Sequence, residues 1–97
     1  MDLKLKDHHV LITGGSKGIG LACAHAFLAE GARVTLVARN PQTLDEARQQ
    51  LVKQHAGAQV QTVSADLTQA EAALKALDQA EAGLGPVQVL VNSAGAA

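Results

Sequence analysis

With 97 residues, 47% of them hydrophobic, and a formal net charge of -1, the chain has the composition of one soluble globular domain, not of a disordered or fibrous segment. The near-neutral balance and the absence of any Lys/Arg run argue against nucleic acid or an anionic membrane as the main partner. There is no run of about 18 apolar residues, the polar start Met1-Asp2-Leu3-Lys4 is unlike a secretory signal, and Cys23 stands alone, so a disulfide-free cytoplasmic protein is expected.

Val10-Leu11-Ile12-Thr13 is a short apolar run closed by two glycines and reads as a first strand buried on both faces. Beyond the turn, Ile19, Ala22, Cys23, Ala26 and Phe27 recur at helical spacing, and Glu30-Gly31 ends that helix. Arg33–Ala38 is the second strand. Asn40-Pro41 opens the next helix, because Asn caps free backbone N–H groups and Pro at the first helical position forfeits no hydrogen bond. Its apolar stripe is Leu44, Ala47, Leu51 and Val52. Gln59–Val63 alternates and is β-branched, which makes it a third strand, and Ala65-Asp66-Leu67 follows. Thr68-x-x-Glu71 has the spacing of a capping box for a helix carrying Leu74 and Leu77, with Gly83 and Gly85-Pro86 as its stops. Val87–Val91 is the fourth strand.

Strands alternating with helices of this length require parallel pairing, and right-handed crossovers leave a doubly wound, Rossmann-type α/β sheet with strand order 3-2-1-4, partial and confined to a single domain over 1–97. In that order a crevice opens between the first and fourth strands at their carboxyl ends. Both ends carry glycine motifs, Gly14-Gly15 after one and Asn92-Ser93-Ala94-Gly95 after the other. A helix that begins just after a glycine-rich turn offers unpaired N–H groups and a positive dipole end, which suits a pyrophosphate. The spacing Gly-x-x-x-Gly-x-Gly differs from the commoner Gly-x-Gly-x-x-Gly, and Ser16-Lys17-Gly18 lacks the Gly-Lys-Ser/Thr of a triphosphatase loop.

Taken together, Thr13-Gly14-x-x-x-Gly18-Ile19-Gly20, Asp66-Leu67 and Asn92-Ser93-Ala94-Gly95 resemble, in order and over the whole chain, the motifs of the short-chain dehydrogenase/reductases. The resemblance implies that Ile19 offers its N–H to pyrophosphate, that Asp66 and Leu67 flank the adenine, and that Asn92 through Gly95 line the adenosine. Ser93 departs from the family's usual second Asn, at a position where main-chain contacts are expected. NAD sites commonly place an acidic residue at the end of the second strand to bind the ribose 2′-hydroxyl; here Ala38-Arg39 stands there. Arg39 can grip a 2′-phosphate, Lys17 can add positive charge, and Ser16 and Asn40 can donate hydrogen bonds, so NADP(H) is the expected cofactor.

The resemblance further implies hydride transfer between the nicotinamide and a carbonyl or alcohol substrate, using a Tyr, a Lys four residues later and a Ser. This chain ends before all three and has no Tyr, so no catalytic residue is assigned, and an NADP-dependent enzyme of which this is a fragment is expected. The fourth strand, apolar on both faces with nothing to pair its edge, points the same way and suggests a homo-oligomer or association with a missing C-terminal part. A non-catalytic NADP-binding module or redox-sensing regulator is the alternative. Stretches such as Thr35–Asn40, Gly85-Pro86-Val87 and Leu90-Val91-Asn92 are similar to 3-ketosphinganine reductases. Cys23 reads as core packing. His8, His9, His25 and His55 lack the clustered spacing of metal ligands and read as surface residues.

Overall fold

The computed structural model describes residues 4–93. The elements run β1 (His9–Thr13), α1 (Gly18–Ala29), β2 (Arg33–Ala38), α2 (Pro41–Gln54), β3 (Val60–Ser64), α3 (Ala70–Leu84) and β4 (Val89–Asn92). The four strands form one parallel sheet in the order β3-β2-β1-β4, the expected doubly wound arrangement. In β1, Val10 and Ile12 point to one face of the sheet and Leu11 to the other, and all three are buried. α1 and α2 cover the first face, where Ala24, Leu28, Leu44, Ala47 and Leu51 pack on Val34 and Leu36. α3 covers the second, setting Ala76 and Ala80 against Leu11, Val37 and Val63. Crossovers therefore go to opposite faces on either side of β1, and the crevice between β1 and β4 follows from that split.

Boundaries agree where the chain carries local punctuation. Asn40 caps α2 as expected, its Oδ1 accepting from Gln42 N at 2.9 Å and Thr43 N at 3.4 Å. Several other expectations are corrected. α1 buries Gly20, Ala24 and Leu28, whereas Ile19 is 78% exposed and Ala22 and Ala26 face solvent; tight seating on the glycine turn selects the small-residue face. In α3 the sheet-facing positions are Ala76 and Ala80, while Leu74 is 65% exposed. The Thr68–Glu71 capping box does not form: the helix begins at Ala70, its N-cap Gln69 makes no side-chain cap bond, and Thr68 turns back to Asp66. Gly83 does not stop α3. It lies inside the helix, where an added Cβ would press on the Gln61 side chain, and the helix ends at Gly85, whose φ is +87°.

His9 is corrected as well, from a surface residue to a core one. It extends β1 by one residue and is completely buried beneath the end of α3. Its Nδ1 lies 2.8 Å from the Gly85 carbonyl oxygen and its Nε2 lies 2.7 Å from Thr35 Oγ1. A carbonyl only accepts, so Nδ1 carries the proton, and Nε2 pairs with the Thr35 hydroxyl. That hydroxyl oxygen accepts in turn from Gln61 Nε2 at 3.2 Å, and the same amide also donates to the Ala80 carbonyl. A satisfied polar chain thus ties three strand-borne side chains to the last turn of α3.

Candidate functional site

A cleft of about 630 Å³ opens at the carboxyl ends of the strands on the α3 side of the sheet. It exists because α3 packs over β3 and β2, leaving the second face of β1 and β4 uncovered beyond Leu11. Thr13, Gly14, Val37, Leu90 and Asn92 form its floor; Ala38 and Arg39 close one end, and Ala65 through Thr68 with Ala73 form the opposite wall.

Of the residues expected from sequence, the cleft brings together Gly14, Arg39, Asp66, Leu67 and Asn92. Ser16, Lys17, Gly18, Ile19, Gly20, Asn40 and Ser93 lie outside its lining, and Ala94 and Gly95 lie outside the described residues. Sequence reasoning left out Thr13, Val37, Ala38, Ala65, Thr68, Ala73 and Leu90. The last residue of each strand and the first beyond it would have pointed to several of these, because parallel strands in register end together.

The turn after β1 is held from both sides. Gly14, at φ +71°, donates its N–H to the Val37 carbonyl at 2.7 Å, and Thr13 Oγ1 donates to Asn92 Oδ1 at 2.9 Å. The Ser93 N–H and hydroxyl both donate to the Thr13 carbonyl. Ser93 therefore fastens β4 to β1 with its side chain as well as its backbone. Gly20 is buried against this knot: a Cβ there would overlap the Gly14 carbonyl oxygen and lie 2.6 Å from Ser93 Oγ and 2.8 Å from Gly15 Cα. Its role is thus helix-to-turn packing. Gly18 is the opposite case, exposed at φ +61°, and a Cβ added there would meet nothing within 4 Å. The N-cap of α1, Lys17, is extended and supplies no side-chain cap, so no side chain covers the amides that open the helix.

On the far wall, Asp66 Oδ1 accepts from Thr68 N at 3.0 Å and from Thr68 Oγ1 at 2.6 Å. The Thr68 hydroxyl and amide hold the Asp66 carboxyl below the usual carboxylate range; burial opposes this, and the Arg39 charge adds to the lowering. Arg39 is exposed, and its carbonyl accepts from Ser64 Oγ at 2.8 Å, which fixes the backbone from which it projects. Because the folded pKa of Asp66 lies below its unfolded value of about 3.9, its contribution to stability is full above that pH and is lost as pH falls through the folded pKa. Thermal melts taken from near-neutral pH down to acid should therefore fall more steeply for the wild type than for Asp66→Asn, which keeps the side-chain acceptor. Parallel curves would remove this role.

The short chain dehydrogenase family model matches residues 8–97. A 3-dehydrosphinganine reductase of Arabidopsis thaliana is 42% identical over 93 residues, covering 96% of this chain and 27% of that protein. An L-xylulose reductase of Bos taurus is 43% identical over 97 residues, covering the whole chain and 36% of the relative. Among solved structures, the L-sorbose reductase of Gluconobacter frateurii, crystallised with NADPH and L-sorbose, superposes with a TM-score of 0.91 at 37% identity, over 98% of this chain and 36% of that one. The chain thus spans about a third of the length of these proteins. The expected likeness to ketosphinganine reductases holds, and it is matched in identity by the L-xylulose reductase. With the family's strand order, its glycine turn after β1 and a match over residues 8–97, the chain belongs to the short chain dehydrogenase family.

Proposed function

We propose that this chain is the cofactor-binding part of an NADP(H)-dependent oxidoreductase that transfers a hydride between the nicotinamide and a carbonyl or alcohol substrate. The observation that carries the reading is Arg39 at the end of β2, on the rim of the cleft, where an NAD site would place a carboxylate. A guanidinium favours a 2′-phosphate and a carboxylate repels one.

The surrounding residues fit a dinucleotide. The opening amides of α1, uncapped by side chains and with open space at Gly18, suit a pyrophosphate, and Ile19 N–H belongs to that set. The apolar strip Ala65, Leu67, Ala73 and Leu90 suits the flat face of an adenine, with Asp66 held beside it by Thr68. Asn40 has its side-chain oxygen engaged as the α2 cap, which leaves its amide group as the donor toward a phosphate. Lys17 and Ser16 add a charge and a hydroxyl on the α1 side, and Asn92 and Ser93 bound the adenosine side. When bound, the cofactor supplies or accepts the hydride. The residues of this chain bind and orient it.

Support for an enzyme over a non-catalytic module comes from the relatives, whose names are those of reductases and dehydrogenases. On this reading the open edge of β4, with Leu90 65% exposed beside it, is paired by further chain or by a second copy. The test is a fluorescence titration of the purified protein with NADPH and NADH. A charged hydrogen bond of about 1.5 to 3 kcal/mol makes NADPH tighter by roughly ten- to a hundred-fold. Equal affinities would overturn the assignment.

A further inference from the structure

The tertiary structure brings together two histidines that the sequence separates by half a helix, a strand and a second helix. His25 projects from the middle of α1 and His55 is the C-cap of α2. His25 Nδ1 lies 3.0 Å from His55 Nε2, the ring centroids are 5.2 Å apart and the rings are inclined by 44°. Both residues are half-buried, and neither takes part in the cleft.

We infer that His25 and His55 form a two-imidazole site for a divalent transition metal on the face of the sheet covered by α1 and α2. Metal–imidazole bonds of about 2.0 to 2.1 Å put two nitrogens roughly 2.9 Å apart when they meet the ion at a right angle, and about 3.4 Å apart at a tetrahedral angle. The observed separation matches the right angle, the preference of tetragonal ions such as Ni²⁺ and Cu²⁺, with Zn²⁺ weaker. In the metal-free pair one ring donates its proton to the other. Ligation requires each ring to turn by roughly 45°, so that both lone pairs leave the nitrogen–nitrogen line of the hydrogen bond and meet at the ion. The shared proton then moves to that ring's other nitrogen, His25 Nε2 or His55 Nδ1. Both rings stay neutral, so no net proton is released.

No third ligand completes the site: no group of three or more His, Cys, Asp or Glu side chains is gathered for a metal among the described residues. The remaining positions are left to water. Room for it lies beside His55, where a cavity of about 200 Å³ is lined by Asp7, Gly31, Arg33, Gly57 and Gln59. The Arg33 guanidinium on that cavity donates to the Asp7 and Leu84 carbonyls. A bound ion would clamp the second half of α1 to the end of α2, leaving the first turn of α1 free of it.

The experiment is calorimetric titration of the untagged protein with NiCl₂ and ZnCl₂ near neutral pH, read alongside the imidazole ring resonances by NMR. One Ni²⁺ per chain is expected, bound more tightly than Zn²⁺, with His25 and His55 perturbed together and His9 unmoved. His25→Gln and His55→Gln should each weaken binding by at least about tenfold, since a lost ligand costs no less than a lost supporting contact. Acid should weaken binding in the wild type, because protonated imidazole is no ligand. Should a variant fail to fold, the wild-type spectra decide alone. No Ni²⁺ uptake, perturbation of only one of the two rings, or unchanged affinity in both variants would each overturn the site.

Discussion

Gly20→Ala is expected to lower stability by about 3 kcal/mol or more, roughly 12 °C or more in melting temperature for a domain of this size. The physical ground is the knot at the end of β1. The added methyl group meets the Gly14 carbonyl oxygen, Ser93 Oγ and Gly15 Cα, and two of those three are backbone atoms that the Gly14–Val37 and Ser93–Thr13 hydrogen bonds hold in place. Relief therefore requires lifting α1 off the sheet, which also opens the contact of Ala24 and Leu28 with the core. Gly18→Ala is the matched comparison. It meets no neighbour but imposes a side chain on a left-handed residue, at about 1 to 2 kcal/mol. Circular-dichroism melts of both variants decide the matter. If Gly20→Ala melts no lower than Gly18→Ala, the packing account of this glycine is wrong.

The second large effect is expected in cofactor choice. Arg39→Ala should weaken NADPH binding by roughly ten- to a hundred-fold while leaving NADH nearly unchanged, because only the 2′-phosphate loses a charged partner. Arg39→Asp should go further and invert the preference, since a carboxylate repels the phosphate and accepts from a 2′-hydroxyl. Arg39 is exposed, and the contact that fixes its backbone is made by its own carbonyl, so neither change should disturb the fold. The measurement is a pair of binding titrations for each variant, with melting curves to verify folding. Equal losses for both cofactors in Arg39→Ala would place the guanidinium outside the phosphate site and transfer the burden to Lys17.

The order of elements, the strand order and the place of the crevice are legible in the residues themselves. β2 is Arg33–Ala38 from either direction, Asn40-Pro41 starts α2, and Gly31 and Gly85, both at positive φ, close α1 and α3. These features are local: a cap or a left-handed glycine acts through bonds within a few residues, so the chain carries the information in place. The glycine turn and Asp66-Leu67 are equally local, which is why resemblance could find them.

What the sequence could not decide is which face of each helix turns inward. Ile19 in α1 and Leu74 and Leu77 in α3 turn to solvent, because close seating on a glycine turn and on packed strands selects Gly20, Ala24, Ala76 and Ala80, with Leu28 beside them in α1. Hydrophobic periodicity cannot register a preference set by distance to another element. The histidines make the same point. His9 is buried because α3 returns over the amino end of β1, and His25 meets His55 because α1 and α2 share one face of the sheet. Each of those pairings spans at least 26 residues of chain, and none exists until the crossovers have been made.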